Sequence, residues 1–79
     1  MVILKNIKKI NNIISCDYYP EGQNDKGEMQ VDMDKKIVIQ TVKSKLDENV
    51  TMYSRHVKRK LIELSEYEIL PEEYRCVWY

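Results

Sequence analysis

The chain has 79 residues, thirteen of them basic, thirteen acidic and one a histidine, so its formal charge is zero. With 43% apolar residues it lies outside the disordered range, with two Gly and two Pro it is neither collagen-like nor low-complexity, and no apolar run nears the roughly 20 residues of a membrane-spanning helix. This is the make-up of one small soluble globular domain spanning 1–79, and nine Ile, seven Val and five Leu, with Ala and Phe absent, weight it toward strand.

The N-terminal segment admits two readings. Ile3, Ile7, Ile10 and Ile14 recur at helical spacing, but the segment is crowded with Ile and Asn, which are weak helix formers. Asn11-Asn12 tolerates a left-handed turn, so residues 2–8 and 12–19 are expected as two strands around it rather than as one helix. The second of these ends at Pro20, and residues 20–27, with two Gly and one Pro, form a loop. Next, Met29, Val31 and Met33 alternate with Gln30 and Asp32, Asp34-Lys35 follows, and Lys36–Val42 is a β-branched run. That pattern predicts an antiparallel hairpin. The second run is apolar on both sides, which predicts a central strand.

Val50, Tyr53, Val57, Leu61 and Leu64 then place an apolar stripe on one helix face over 50–66. Asp47 or Asn49 can cap its start, and Pro71 prevents any continuation. Glu63, Glu66 and Glu68 oppose the helix dipole, with Arg59 or Lys60 available to offset them. The tail from Tyr74 to Tyr79 is too apolar to stay in water and is expected on the core or as a short strand. The predicted class is α+β, a small antiparallel sheet of three to five strands packed against one amphipathic helix.

So short a chain buries only about 60–65% of its unfolded surface, and small scaffolds commonly draw on a disulfide, a metal or a second subunit. Only Cys16 and Cys76 could form a disulfide. Met1-Val2-Ile3-Leu4 runs directly into Lys5, Lys8 and Lys9 without the apolar core of a signal peptide, so a cytoplasmic setting and reduced thiols are expected. Two distant Cys and one His offer no paired metal-ligand spacing, so no metal and no cofactor is expected, and self-association remains open.

The zero charge is a cancellation of blocks. Residues 1–16 carry three Lys and no acid, 17–34 carry six acids against Lys26, 35–46 carry four Lys and no acid, and 63–73 carry five Glu and no base. Alternation of this kind suits neighbouring strands of opposite sign.

The candidates for chemistry are few. Arg55-His56-Val57-Lys58-Arg59-Lys60 is the one dense basic cluster, and Arg55, Lys58 and Arg59 could meet phosphates. The same residues also suit the wet face of an amphipathic helix, and a pI near 6.6 lacks the basic signature of a nucleic-acid module. His56 is the only side chain expected to titrate near neutrality, and catalysis would need it beside Cys16 or Cys76 with a third orienting group. The acids of 25–34 fail the calcium-loop pattern, since Gly27 and Met29 fall where oxygen ligands are needed. Gly22 and Gly27 form no phosphate loop. The aromatics stand out, because Tyr and Trp are enriched at interfaces, and Tyr19, Trp78 and Tyr79 are the candidate interface residues. Tyr53 is expected in the core.

The stretch Cys16-Asp17-Tyr18-Tyr19-Pro20-Glu21, the helix beginning Met52-Tyr53, and the ending Leu70-Pro71-Glu72-Glu73 with Trp78-Tyr79 together resemble short uncharacterised bacterial proteins, some of them phage- or mobile-element-like. The resemblance covers most of the chain, and its motifs carry no chemistry. The functional expectation is a non-enzymatic protein-interaction or accessory domain, with a homodimer through an aromatic or sheet surface as one form of it. The alternative is a weak nucleic-acid binder using the Arg55–Lys60 face. No membrane and no small-molecule ligand is implied.

Overall fold

The computed structural model describes residues 1–45 and 52–77. The strands are β1 (Val2–Ile10), β2 (Ile13–Pro20), β3 (Gly27–Asp32), β4 (Ile37–Val42) and β5 (Glu73–Cys76), and the helix α1 is Met52–Leu64. The strands form one five-stranded sheet in the order β4-β3-β2-β1-β5, with every neighbouring pair antiparallel. The helix packs on one face of it, giving the expected two-layer α+β architecture.

The N-terminal segment is a hairpin. Ile10 pairs with Ile13 across Asn11-Asn12, and Asn11 takes the left-handed backbone at φ 55°. The isoleucines at helical spacing do not share a face: Ile7 and Ile14 are buried, whereas Ile10 is exposed. Between Lys5↔Asp17 and Lys8↔Ser15, β1 uses one residue more than β2, and Asn6 sits in this bulge at φ 55°. A bulge shifts the side-chain phase by one. Val2, Leu4 and Ile7 therefore all point into the core, a spacing that fits neither period 2 nor a clean helical turn.

The β3–β4 connection is longer than the Asp34-Lys35 pair suggested. Asp32 pairs with Ile37, so Met33 to Lys36 form a four-residue loop, with Lys36 at φ 56°. The Asp32 carboxylate accepts hydrogen bonds from the Asp34 and Lys35 amides at 2.9 and 3.3 Å, an Asx turn that shapes the loop without glycine.

Beneath the helix lie Val2, Leu4, Ile7, Ile14, Cys16, Tyr18, Met29 and Val31, met from above by Val57, Leu61 and Leu64. Burying this shared face, more than helix propensity, stabilises the 13-residue helix. Tyr53 is only partly buried at the margin of the core, and its hydroxyl donates to Glu21 at 2.8 Å. The helix ends at Leu64, well before Pro71. Its final turn holds no basic residue of its own. Lys60 pairs with Glu63 at 3.1 Å, and Lys9 of β1 reaches the Ser65 carbonyl at 3.3 Å, supplying a cation where the dipole favours one. The capping residues Asp47 and Asn49, and Val50 of the stripe, lie outside the described residues.

Tyr18 decides one glycine. It is fully buried opposite Gly27, and its ring lies over that residue's α-carbon. A Cβ at position 27 would come within 2.3 Å of the Tyr18 ring. The Tyr18 hydroxyl lies 3.3 Å from Ser54 Oγ on the helix, tying the two layers together.

The cysteines are both buried and both free. Cys76 is in register with Val2 and Val2 with Pro20. Cys16 thus lies four residues along and two strands over from Cys76, roughly 16 Å away at ordinary strand spacings. That exceeds the reach of a disulfide.

Candidate interaction surface

The strand predicted to be central is at the edge. β4 ends the sheet, and the three central strands are β3, β2 and β1. The central strands show alternation because their outer face is wet. The β4 run is apolar on both sides for a different reason: Ile37, Val38, Ile39 and Val42 remain 37–50% exposed.

Geometry explains the exposure. Five strands at about 4.8 Å spacing span roughly 19 Å, whereas a helix with its side chains is about 10–12 Å across. One helix cannot roof the whole sheet, and α1 packs on β1, β2, β3 and β5. Val38 faces the same side as its buried partner Val31, yet it is left half-open. β4 also carries a bulge, with one residue more than β3 between Val38 and Gln40. Ile37 continues across the outer face toward Ile13 and Ile10, through the register Ile10↔Ile13↔Asp32↔Ile37. Ile10 is 68% exposed. The result is an aliphatic surface around the β4 edge that composition alone did not reveal.

At this edge the cations lie beside β4 itself, whereas Asp32 and Glu28 stand opposite Ile37 and Val42 on β3, Asp34 accepts from Asn12, and the Asp25 carboxylate accepts from the Lys45 amide. Elsewhere on the sheet the charge blocks do meet: Lys5 stands between Asp17 and Glu73, and Lys26 reaches Asp17 at 3.4 Å. Asn6 also donates to Asp17 at 2.9 Å. Around β4, Lys35, Lys36, Lys43 and Lys45 are all exposed. Among the described residues no ion pair engages any of them.

The residues singled out from sequence fall in three places. Tyr19 is half-buried on the outer face, with the Lys5 ammonium 5.2 Å from its ring centroid. Trp78 and Tyr79 lie outside the described residues. Arg55 and Arg59 are exposed on the helix, Lys58 is half-buried, and among the described residues none of the three has an ion pair. Lys60 turns toward β5 instead, 4.8 Å over the Tyr74 ring. His56 is half-buried, and loss of hydration together with the Arg59 and Arg55 charges holds its imidazole below the usual range. Burial, with help from the Asp17 charge, pushes the Cys16 thiol up to about 12. The thiolate needed for nucleophilic attack is therefore absent there at neutral pH.

Beside the β1 bulge the outer face holds an open cleft of about 230 Å³, lined by Asn6, Lys8, Ser15, Asp17, Glu28 and Gln30 among others. Donors and acceptors of both signs are mixed along it. Among the described residues no cluster of three or more His, Cys, Asp or Glu is arranged to hold a metal, and no helix is long and apolar enough to cross a membrane. No protein-family model matches the chain, and no curated protein or solved structure matches it either.

Proposed function

We propose that this chain is a protein-interaction domain that docks an extended segment of a protein partner along the β4 edge. The observation that supports this reading is the coincidence, on one strand, of a backbone edge that is open among the described residues and four exposed aliphatic side chains. Strand addition uses both: main-chain hydrogen bonds contribute affinity, and alternate side chains contribute selectivity. An uncovered apolar edge is otherwise an aggregation hazard that natural sheets avoid. Tyr19 lies two strands away from β4, so in this reading the aliphatic edge replaces the aromatics as the contact surface.

The test is chemical-shift mapping of the isotope-labelled protein during titration with strand-forming peptides, alongside sedimentation of the protein alone. Perturbations concentrated on Ile37–Val42 and the adjoining β3 amides are expected. A β4 that stays unperturbed at millimolar peptide, in a protein that is also monomeric, overturns the reading.

A second reading rests on the exposed Arg55 and Arg59 beside Lys58, which offer cations to a nucleic-acid backbone. It predicts binding to DNA or RNA that weakens steeply with salt and is lost in the Lys58→Ala, Arg59→Ala double variant. Absence of binding at low salt ends it.

A further inference from the structure

We propose that the segment docked on β4 is apolar at its centre and acidic at its flanks, and that it comes from a different protein and not from a second copy of this chain. The inference rests on the edge-docking reading above and names the partner's chemistry.

The first observation is the distribution of charge along the edge. Lys35 and Lys36 precede β4, Lys43 and Lys45 follow it, and all four are exposed without an ion pair among the described residues. The apolar stretch is thus bracketed by cations at both ends, and the nearby acids lie one strand further in, Asp32 and Glu28 on β3, or are already engaged, Asp34 by Asn12 and Asp25 by the Lys45 amide. A segment laid along it places its own flanking residues beside these lysines, and opposite charges facing each other across a strand pair are favourable.

The second observation concerns self-pairing. If two copies joined β4 to β4 antiparallel in full overlap, Ile37 would face Val42 of the other copy, and Lys36, the loop residue just before β4, would come near Lys43 just after it. The two-fold axis repeats that lysine pair at the other end of the interface. Like charges directly opposite are destabilising. Lysines on an edge strand are also a device by which sheets resist edge-to-edge pairing. The same lysines that oppose a second copy favour an acidic-flanked segment.

The third observation is on the helix. Lys60 faces β5 through Tyr74, and β5 is the far edge of the sheet from β4. At about 100° per residue, Lys58 lies about 160° around the helix from Lys60, with the buried Val57, Leu61 and Leu64 between them. Lys58 therefore stands on the flank turned toward β4. A segment docked on Val38 and Ile39 would meet that cation from the helix side as well.

The probe is a short peptide of alternating valine and threonine with paired glutamates at each end, compared with the same peptide carrying paired lysines. Binding is read by fluorescence anisotropy and mapped by chemical shift. The acidic-flanked peptide is expected to perturb β4 and to bind at least about tenfold more tightly than the lysine-flanked one at low salt, a margin that shrinks as salt rises. The double variant Lys36→Glu, Lys43→Glu, whose side chains are both exposed, is expected to reverse the preference. Equal binding of the two peptides at β4 overturns the partner chemistry but leaves edge docking standing. A dimer that Ile39→Lys dissociates has the same consequence, because a second copy is then the occupant. Neither peptide binding to a monomeric protein overturns both.

Discussion

The Cβ that Gly27 lacks would collide with the phenol end of Tyr18, at 2.3 Å from its nearest atom. Tyr18 is fully buried and cannot swing into water, so Gly27→Ala is expected to cost about 2–4 kcal/mol through overpacking and backbone shift. A fall in the urea midpoint at unchanged slope would show it, and a midpoint within error of the parent would refute the packing. Cys16 gives a second residue-scale expectation. Its thiol is raised from 9.0 to about 12 in the folded protein by burial first and the Asp17 charge second. Because the folded state holds this proton more tightly, its contribution to stability is complete below about pH 9 and declines as pH rises from there toward 12. Folded protein is expected to leave Cys16 unmodified by a thiol reagent at neutral pH, and denaturant to expose it. Reaction of Cys16 at the rate of a free thiol in native buffer would contradict its burial.

At the scale of the element, the β1 bulge depends on one residue with an unusual backbone. Asn6 at φ 55° is in the region where Asn is tolerated and β-branched residues are strained. Its amide also donates to Asp17. Asn6→Val is expected to cost about 1–2 kcal/mol, whereas Asn6→Gly, which relieves the backbone while losing one exposed hydrogen bond, is expected to stay within about 0.5 kcal/mol of the parent. Thermal unfolding of the pair checks the order; equal stability of the two variants would remove the bulge from the explanation. The same element shows why part of the fold was hard to read. Alternation and turn residues marked β2, β3 and the Asn11-Asn12 hairpin, because those features are local. The bulge inserted one residue into β1, so Val2, Leu4 and Ile7 follow neither strand alternation nor a helical period. The buried helix stripe of Val57, Leu61 and Leu64 was legible because a lone amphipathic helix on a sheet must bury one face.

At the scale of the molecule, the exposed β4 surface and the core should respond oppositely to substitution. Ile39→Lys and Val42→Lys change side chains that are about half exposed, and each is expected to alter stability by under about 1 kcal/mol. Leu61→Ala, in the fully buried layer between helix and sheet, is expected to cost about 2–5 kcal/mol. Denaturant unfolding of the three variants separates the cases. A large loss in the lysine variants would mean that the β4 side chains serve the fold and are not free for a partner. The candidate surface was invisible in the sequence for a related reason. A run such as Ile37-Val38-Ile39 reads identically whether both of its faces are covered or neither is.

The amino-acid sequence by itself determined the α+β class, the strand alternation over residues 29–33, the position of the helix and the separate charge blocks. Each follows from residue spacing and backbone preference, which act over a few neighbours. Only the tertiary structure decided that β4 is an edge, that the lysines around it stand without ion pairs among the described residues, and that the two cysteines lie too far apart to join. Those outcomes depend on strand order and on what the helix can cover. One helix is narrower than five strands, so a strand had to be left outside it, and no local pattern specifies which.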